Sequence, residues 1–157
     1  METLHTIRKW LDKIVGTICI FLFALMVVVG SYQIITRFIF NNPSTISEEL
    51  LTYSFAWMAM FATAYVFGKR DHMRMTFVVD KLAPAQRKVL EIVLEVLVIA
   101  FAAIVLIYGG FNIMGLTMTQ KTASLGVMMG QVYAVVPISG ILIAIYGILN
   151  FTASAIV

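Results

Sequence analysis

Long uncharged stretches alternate with short polar segments along this 157-residue chain. The uncharged runs cover residues 14–36, 50–68, 96–120 and 122–157. A helix rises about 1.5 Å per residue and the hydrocarbon core of a bilayer is about 30 Å thick, so roughly 20 apolar residues cross it. Backbone groups find no water in hydrocarbon, so runs this apolar are expected to be helical. The pattern predicts an all-α integral membrane protein with one domain of four transmembrane helices, spans 1 to 4, at approximately 14–36, 50–68, 92–118 and 131–155.

The residues before span 1 form a short amphipathic pattern. Leu4, Ile7 and Leu11 recur at helical spacing while the charges lie elsewhere, and Trp10 is placed at headgroup depth. This segment either lies on the membrane surface or docks a partner. A cleaved secretory signal is the alternative, but the apolar run exceeds the roughly 7 to 15 residues of a signal core and lacks a small-residue cleavage site. We therefore expect an uncleaved span 1.

Breaks in the pattern locate the ends of the spans. Span 1 should end before Pro43, because the residue preceding a proline is pushed out of the α region. Thr45 with Glu48 three residues later resembles a capping box that opens span 2. The run after 122 is too long for one span, so its first part reads as an outer loop. Span 4 then begins either near Gln131, with a kink at Pro137, or at Pro137 itself.

Composition excludes a water-soluble fold, and charge orients the chain. Hydrophobic residues make up 61% of the sequence, charged residues only 12%, and the mean hydropathy is +0.97. Alternate polar segments carry nine and two Lys and Arg residues. If the chain lies in a bacterial inner membrane, the positive-inside rule places both termini and segment 69–91 on its cytoplasmic side. The net charge of +3 is sorted by membrane side, so nucleic acid is not an expected partner.

The spans carry few groups that could perform chemistry. Spans 1, 2 and 4 lack ionisable residues at their centres, and Glu95 in span 3 is either interfacial or functional. His5 and His72 fall outside the spans, which disfavours a membrane haem. No metalloprotease, redox, hydrolase or phosphate-loop spacing occurs. The single cysteine, Cys19, excludes an intrachain disulfide. We predict no catalytic residue, cofactor or metal site.

A few side chains invite a structural or a partner-binding interpretation. Arg37 lies opposite Glu48 and Glu49 across a short hairpin, so an intrachain ion pair is the simpler expectation and contact with a partner subunit the sharper one. Trp57 is expected to meet lipid or another helix. His72 is either a solvated loop residue or a partner contact. Small residues at helical spacing allow close helix approach in spans 2 and 4, namely Ala56, Ala59, Thr63, Gly140 and Ala144.

Two sequence signatures carry a resemblance to a known family. Residues 33–50 read QIITRFIFNNPSTISEEL, and Trp57 lies in FAWMAMFATAYVFG, followed by KRDHMRM and VVDKLAP. These resemble the small membrane subunit of tripartite ATP-independent periplasmic (TRAP) transporters. Ile46, Ala62 and Thr76 depart from the family's usual Trp, Gly and Asp. The resemblance marks candidate interface or structural residues: Arg37, Asn41, Pro43, Glu48, Glu49, Trp57 and His72.

The resemblance implies a function that composition alone does not. Such subunits serve sodium-coupled uptake of organic anions, such as dicarboxylates, sialic acid or other sugar acids. A periplasmic binding protein delivers the substrate, and a large multi-span subunit moves it by an elevator-type motion against a static scaffold. This chain would be part of that scaffold, surrounded by membrane lipids. The alternatives are an autonomous four-helix small-solute carrier and a membrane anchor of another complex.

Overall fold

The computed structural model describes residues 2–69 and 84–155, and within these ranges the chain is mostly helical, with non-helical turns at 39–44 and 118–128. Its helices are α1 (Glu2–Phe38), α2 (Thr45–Gly68), α3 (Pro84–Phe101), a π-helical segment (Ala102–Gly109), α4 (Gly110–Thr117), α5 (Met129–Tyr133) and α6 (Val135–Ala155). Among the described residues, four stretches are long and apolar enough to cross a membrane: Thr6–Phe38, Thr45–Gly68, Ile92–Thr117 and Met129–Asn150. The predicted all-α fold with four membrane-length helices is confirmed. The amphipathic N-terminal residues continue directly into span 1 as one helix.

The spans pack in the order 1-2-4-3. Span 1 lies along span 2, span 2 along α6 of span 4, and α6 along the π-helical segment of span 3. The most apolar stretches of spans 1 and 3 are only 6% buried, against 39% for span 4. Spans 1 and 3 are therefore the edges of a row, and most of their apolar surface faces outward.

Small residues bring spans 3 and 4 into close contact. Ala102, on the π-helical segment, and Tyr146, on α6, are both fully buried in one apolar cluster. A Cβ atom on Gly140 would lie 2.7 Å from Leu106 Cβ, and one on Gly110 would lie 2.8 Å from Pro137 Cδ. Both distances are below van der Waals contact, so these glycines set the separation of the two helices. Gly140 thus has the close-approach role that its spacing predicted.

Span 4 begins in two pieces. Helix α5 ends at Tyr133, the chain turns at Ala134, and α6 restarts at Val135. Pro137 lies in the first turn of α6, where the absence of its N–H group removes little hydrogen bonding. The sequence left two possible starts for span 4, near Gln131 and at Pro137. The structure shows a helix start near each: the short helix α5 contains Gln131, and α6 begins just before Pro137.

The hairpin between spans 1 and 2 turns on polar residues. Asn41 adopts a left-handed conformation with φ of 49°, which asparagine tolerates better than most residues. Ser44 caps span 2: its Oγ accepts hydrogen bonds from Ser47 N at 3.4 Å and from Ser47 Oγ at 2.9 Å. The predicted capping box of Thr45 and Glu48 is wrong by one residue, because Thr45 is already the first helical residue.

Candidate subunit interface and the contacts that shape it

Glu49 fastens span 2 to the loop between spans 3 and 4. We call this loop the outer loop, and we label the two ends of the row of spans outer and inner after the predicted orientation. Its Oε2 atom accepts hydrogen bonds from the backbone N–H groups of Ser124 and Leu125, both at 2.8 Å. Its Oε1 atom accepts a hydrogen bond from the hydroxyl of Tyr53, also at 2.8 Å. One carboxylate therefore accepts hydrogen bonds from two backbone amides of the turn, which lie outside the helices and have no partner within a helix. We call Glu49, Tyr53, Trp57 and their partners the outer latch.

Tyr53 and Trp57 extend the outer latch down the same side of span 2. The Tyr53 hydroxyl lies 3.7 Å from Met129 Sδ, and Trp57 Nε1 donates a hydrogen bond to the carbonyl of Val132 at 3.0 Å. Val132 lies in α5, two residues before the break in span 4 at Ala134. Trp57 is thus half-buried and serves a specific intrachain contact. The spacing of residues 49, 53 and 57 was a visible signal that one helix face is used, but it did not identify the partner segment.

The outer loop is an ordered turn. Thr122 N donates to the Val127 carbonyl at 2.8 Å, and Met129 N donates to the Gln120 carbonyl at 2.8 Å. Gly126 has φ of +68°, in the left-handed region that glycine occupies without strain. Thr122 itself is only 5% exposed. The loop therefore presents a fixed backbone for Glu49 to bind.

A second set of contacts, the inner latch, joins spans 1, 2 and 4 at their opposite ends. The Arg8 guanidinium donates a hydrogen bond to the Gly68 carbonyl at the end of span 2. The Tyr146 hydroxyl, on span 4, donates to Asp12 Oδ1 at 2.8 Å. Gly68 packs against the Tyr146 ring so closely that a Cβ there would lie 2.6 Å from it. Sequence reasoning missed this latch, because its residues are 60 and 134 positions apart.

Two candidate charges face outward at the outer end of spans 1 and 2. Among residues 2–69 and 84–155, no ion pair joins Arg37 to Glu48 or Glu49, so the expected intrachain pair is wrong. The reason is geometric: Glu49 is engaged by the loop, and the Arg37 guanidinium instead lies 6.0 Å from the Phe38 ring centroid. Both Arg37 and Glu48 are exposed. We call these two side chains the outer rim.

The other candidates divide between the turn and undescribed segments. Asn41 and Pro43 are exposed at the hairpin, and Pro43 lines an open cavity of about 730 Å³ with residues of both flanking helices. His72 lies outside the described residues. Glu95 is half-buried on α3. Within the described ranges, no group of three His, Cys, Asp or Glu side chains is arranged to hold a metal ion.

Comparison with known proteins places the chain in a family. The family described as tripartite ATP-independent periplasmic transporters, DctQ component, matches residues 26–155. A Haemophilus influenzae protein named as a TRAP transporter small permease is 24% identical over 141 residues, covering 90% of this chain and 87% of the relative. A second H. influenzae small permease is 27% identical, covering 86% of this chain and 81% of that protein. The sialic acid TRAP transporter small permease protein SiaQ of Vibrio cholerae is 32% identical, covering 68% and 61%.

Three features now agree: a multi-pass membrane fold, the hairpin and tryptophan signatures, and a family match over most of the chain. A component of a tripartite system works in a complex with a large M subunit and a periplasmic binding protein, and it is a transport subunit and not an enzyme. The chain belongs to the DctQ-component family of tripartite ATP-independent periplasmic transporters.

Proposed function

We propose that this chain is the stationary small subunit of a sodium-coupled TRAP transporter. In this proposal it lies in the bacterial inner membrane with both termini in the cytoplasm. The large subunit binds and moves an organic anion, which the periplasmic protein delivers. The observation that carries the proposal is the pair of latches, which tie the row of spans together at both ends of the membrane.

The latches favour a fixed frame over a moving carrier. A carrier that works alone must rearrange its own helices around a bound solute. Here span 2 is bonded to the loop and to span 4 at the outer end, while span 1 is bonded to spans 2 and 4 at the inner end. Any relative movement of these spans would break several hydrogen bonds in low-dielectric surroundings. A rigid row of this kind enlarges the immobile part of a complex.

The outer rim supplies the proposed contact with the large subunit. Arg37 and Glu48 are exposed at the outer ends of membrane-length helices, where an unpaired charge is poorly solvated compared with bulk water. A partner with complementary charge would relieve this. The turn at Asn41 and Pro43 sets how the two helices present these charges, and His72 is proposed as a further partner contact in the segment between spans 2 and 3. Membrane lipids cover the remaining apolar surface.

The substrate class is a carboxylate-bearing solute, proposed to be a sugar acid such as sialic acid. Its support is the name of the V. cholerae relative, which refers to sialic acid. The groups that bind the solute and sodium are proposed to lie on the other components, since three of the described acids of this chain are accounted for without a solute. Asp12 and Glu49 are bonded in the latches, and Glu48 faces outward.

Reconstitution in proteoliposomes tests the proposal. The chain with its large subunit and binding protein should accumulate the labelled solute only when a sodium gradient is present, and the chain alone should give no uptake above empty vesicles. Co-purification in mild detergent should yield a complex of the two membrane subunits. A chain that stays monomeric beside its co-expressed large subunit, or uptake by the chain alone, contradicts the proposal.

The half-buried Glu95 favours one rival, an autonomous carrier, because an acid near the membrane can bind and release protons. If Glu95→Gln abolishes proton-linked transport by the purified chain, the rival is correct. If the full complex retains uptake with Glu95→Gln, the stationary role stands. The anchor alternative would show a haem absorption band in the purified chain.

A further inference from the structure

One polar side chain on the exposed side of span 3 makes no hydrogen bond within the described part of the chain. It is Asn112, which is exposed on α4 and lies inside the membrane-length stretch Ile92–Thr117. Exposed hydroxyl groups elsewhere in the spans are satisfied locally. Those of Thr17, Ser31 and Thr63 each donate to a carbonyl of their own helix, at 2.7 or 2.8 Å. Asn112 therefore differs from these residues in needing a partner from outside the chain.

Asn112 points away from the rest of the row. The buried or half-buried side of α4 consists of Gly110, Met114 and Thr117. This side meets span 4, because a Cβ atom on Gly110 would lie 2.8 Å from Pro137 Cδ. Consecutive residues of an α-helix point about 100° apart, so Asn112 lies about 200° around the helix from Gly110. The Asn112 side chain thus faces outward from the span 3 edge of the row.

Asn112 also lies near the middle of the row's height. A Cβ atom on Gly130 would lie 2.6 Å from the Met114 carbonyl oxygen, so these two residues are level. Asn112 lies two residues deeper than Met114, as Val132 lies two residues deeper than Gly130. The Val132 carbonyl accepts a hydrogen bond from Trp57, which is the thirteenth residue of the 24-residue span 2. Asn112 is therefore at a depth where a membrane holds no water to bind it.

The surface around Asn112 is apolar and locally open. Gly115, three residues later on the same side, is exposed, and a Cβ atom there would meet no atom within 4 Å. Tyr108, Phe111 and Leu116 nearby are 70%, 50% and 76% exposed. A carboxamide carries two N–H donors and an acceptor oxygen, and leaving these unpaired in hydrocarbon is unfavourable. Lipid acyl chains can cover the apolar side chains, but they cannot pair the carboxamide.

We propose that Asn112 and Gly115 form the contact site for a transmembrane helix of the large subunit. That helix would pass close to Gly115 and would present a Ser, Thr, Asn or Gln side chain to the Asn112 carboxamide. The family places a large M subunit in a complex with this chain, so a partner helix is available. The inference rests on the complex of the proposed function, and it concerns the opposite edge of the row from the outer rim.

Energy transfer between labelled subunits in liposomes tests the contact. The full chain and the large subunit are reconstituted at rising lipid-to-protein ratios, which gives an apparent dissociation constant. Asn112→Leu should weaken association about three- to tenfold, because one hydrogen bond between membrane helices is lost. Asn112→Gln retains the carboxamide and should bind more tightly than Asn112→Leu. Gly115→Leu should weaken association while leaving the melting temperature of the isolated chain unchanged, because its position is open.

A matched variant controls for the loss of any exposed polar group. Thr63→Val removes a hydroxyl from span 2 that is bonded to the Ala59 carbonyl, so it should leave association unchanged. An unchanged dissociation constant for Asn112→Leu would overturn the inference and leave the proposed function intact. Failure of the unsubstituted subunits to associate would overturn both. Self-association of the chain alone that Asn112→Leu abolishes would assign this surface to a second copy and would also overturn the inference.

Discussion

Replacing Gly140 with alanine should force spans 3 and 4 apart. The added Cβ would lie 2.7 Å from Leu106 Cβ, 3.0 Å from Ile107 Cγ1 and 3.2 Å from Ile107 N. Two of these atoms are backbone or directly attached to it, so no side-chain rotation removes the clash. Relief requires the helices to separate by several tenths of an ångström, which loosens the packing of the fully buried Ala102 and Tyr146 nearby.

The expected loss follows from two opposing effects. Overpacking of a tight contact lowers the free energy of unfolding by about 1 to 3 kcal/mol. Alanine has a better helix propensity than glycine, which returns about 1 kcal/mol. Gly140→Ala should therefore lower the stability of the protein, by as much as about 2 kcal/mol.

Gly115 provides a matched control in the same pair of spans. A Cβ on Gly115 meets no atom within 4 Å, so Gly115→Ala keeps only the propensity gain of up to about 1 kcal/mol. The two variants should therefore differ in sign when thermal unfolding of the purified chain is measured in one detergent. Equal melting temperatures for Gly140→Ala and Gly115→Ala, or a more stable Gly140→Ala protein, would refute the close-contact account.

Three further predictions concern the latches. Glu49→Gln should speed hydrogen exchange of the outer-loop amides by about tenfold, because these amides lose their acceptor. Glu48→Gln should leave that exchange unchanged and should instead reduce co-purification with the large subunit. Equal exchange rates in the two variants would contradict these separate roles. Trp57→Phe should lower the free energy of unfolding by about 1 kcal/mol through loss of one hydrogen bond, and an unchanged melting temperature would count against it. Tyr146→Phe should lower it by about 1 to 3 kcal/mol, and the effect should disappear in an Asp12→Ala background; additive losses would disprove the pairing.

The sequence was sufficient for the elements that depend on local properties. The length and apolarity of the uncharged runs predicted four spans, since a long apolar segment in a membrane must pair its backbone N–H and C=O groups within its own helix. The loop between spans 3 and 4 was recognised because the uncharged run after residue 122 is too long for one span, and its Gly126 has a positive φ. The end of span 1 was recognised from Pro43. The cap of span 2 was placed one residue too late, because Ser44 and Thr45 are both good capping residues and only geometry separates them.

Contacts between distant segments could not be predicted in the same way. The Glu49 carboxylate meets loop residues 75 and 76 positions away, and Tyr146 meets Asp12 across 134 positions. No local pattern encodes which acid pairs with which donor. The proximity of Arg37 to Glu48 and Glu49 along the chain favoured an ion pair, yet the loop supplies better hydrogen-bond geometry for Glu49. Similarly, the π-helical segment was not predicted from the sequence, and its residues Leu106 and Ile107 pack against Gly140 of span 4.

The adjacent acids of span 2 indicate how one signature can serve both folding and assembly. Consecutive residues on an α-helix point about 100° apart, so Glu48 and Glu49 cannot face the same neighbour. Glu49 turns toward the loop and is used within the chain, whereas Glu48, like Arg37, is exposed at the outer end of the row. If the latch at Glu49 holds span 2 at a fixed rotation, it also fixes the direction of Glu48. The proposed partner contact would then depend on Glu49 without touching it, and Glu49→Gln should weaken assembly only to the extent that it loosens the loop.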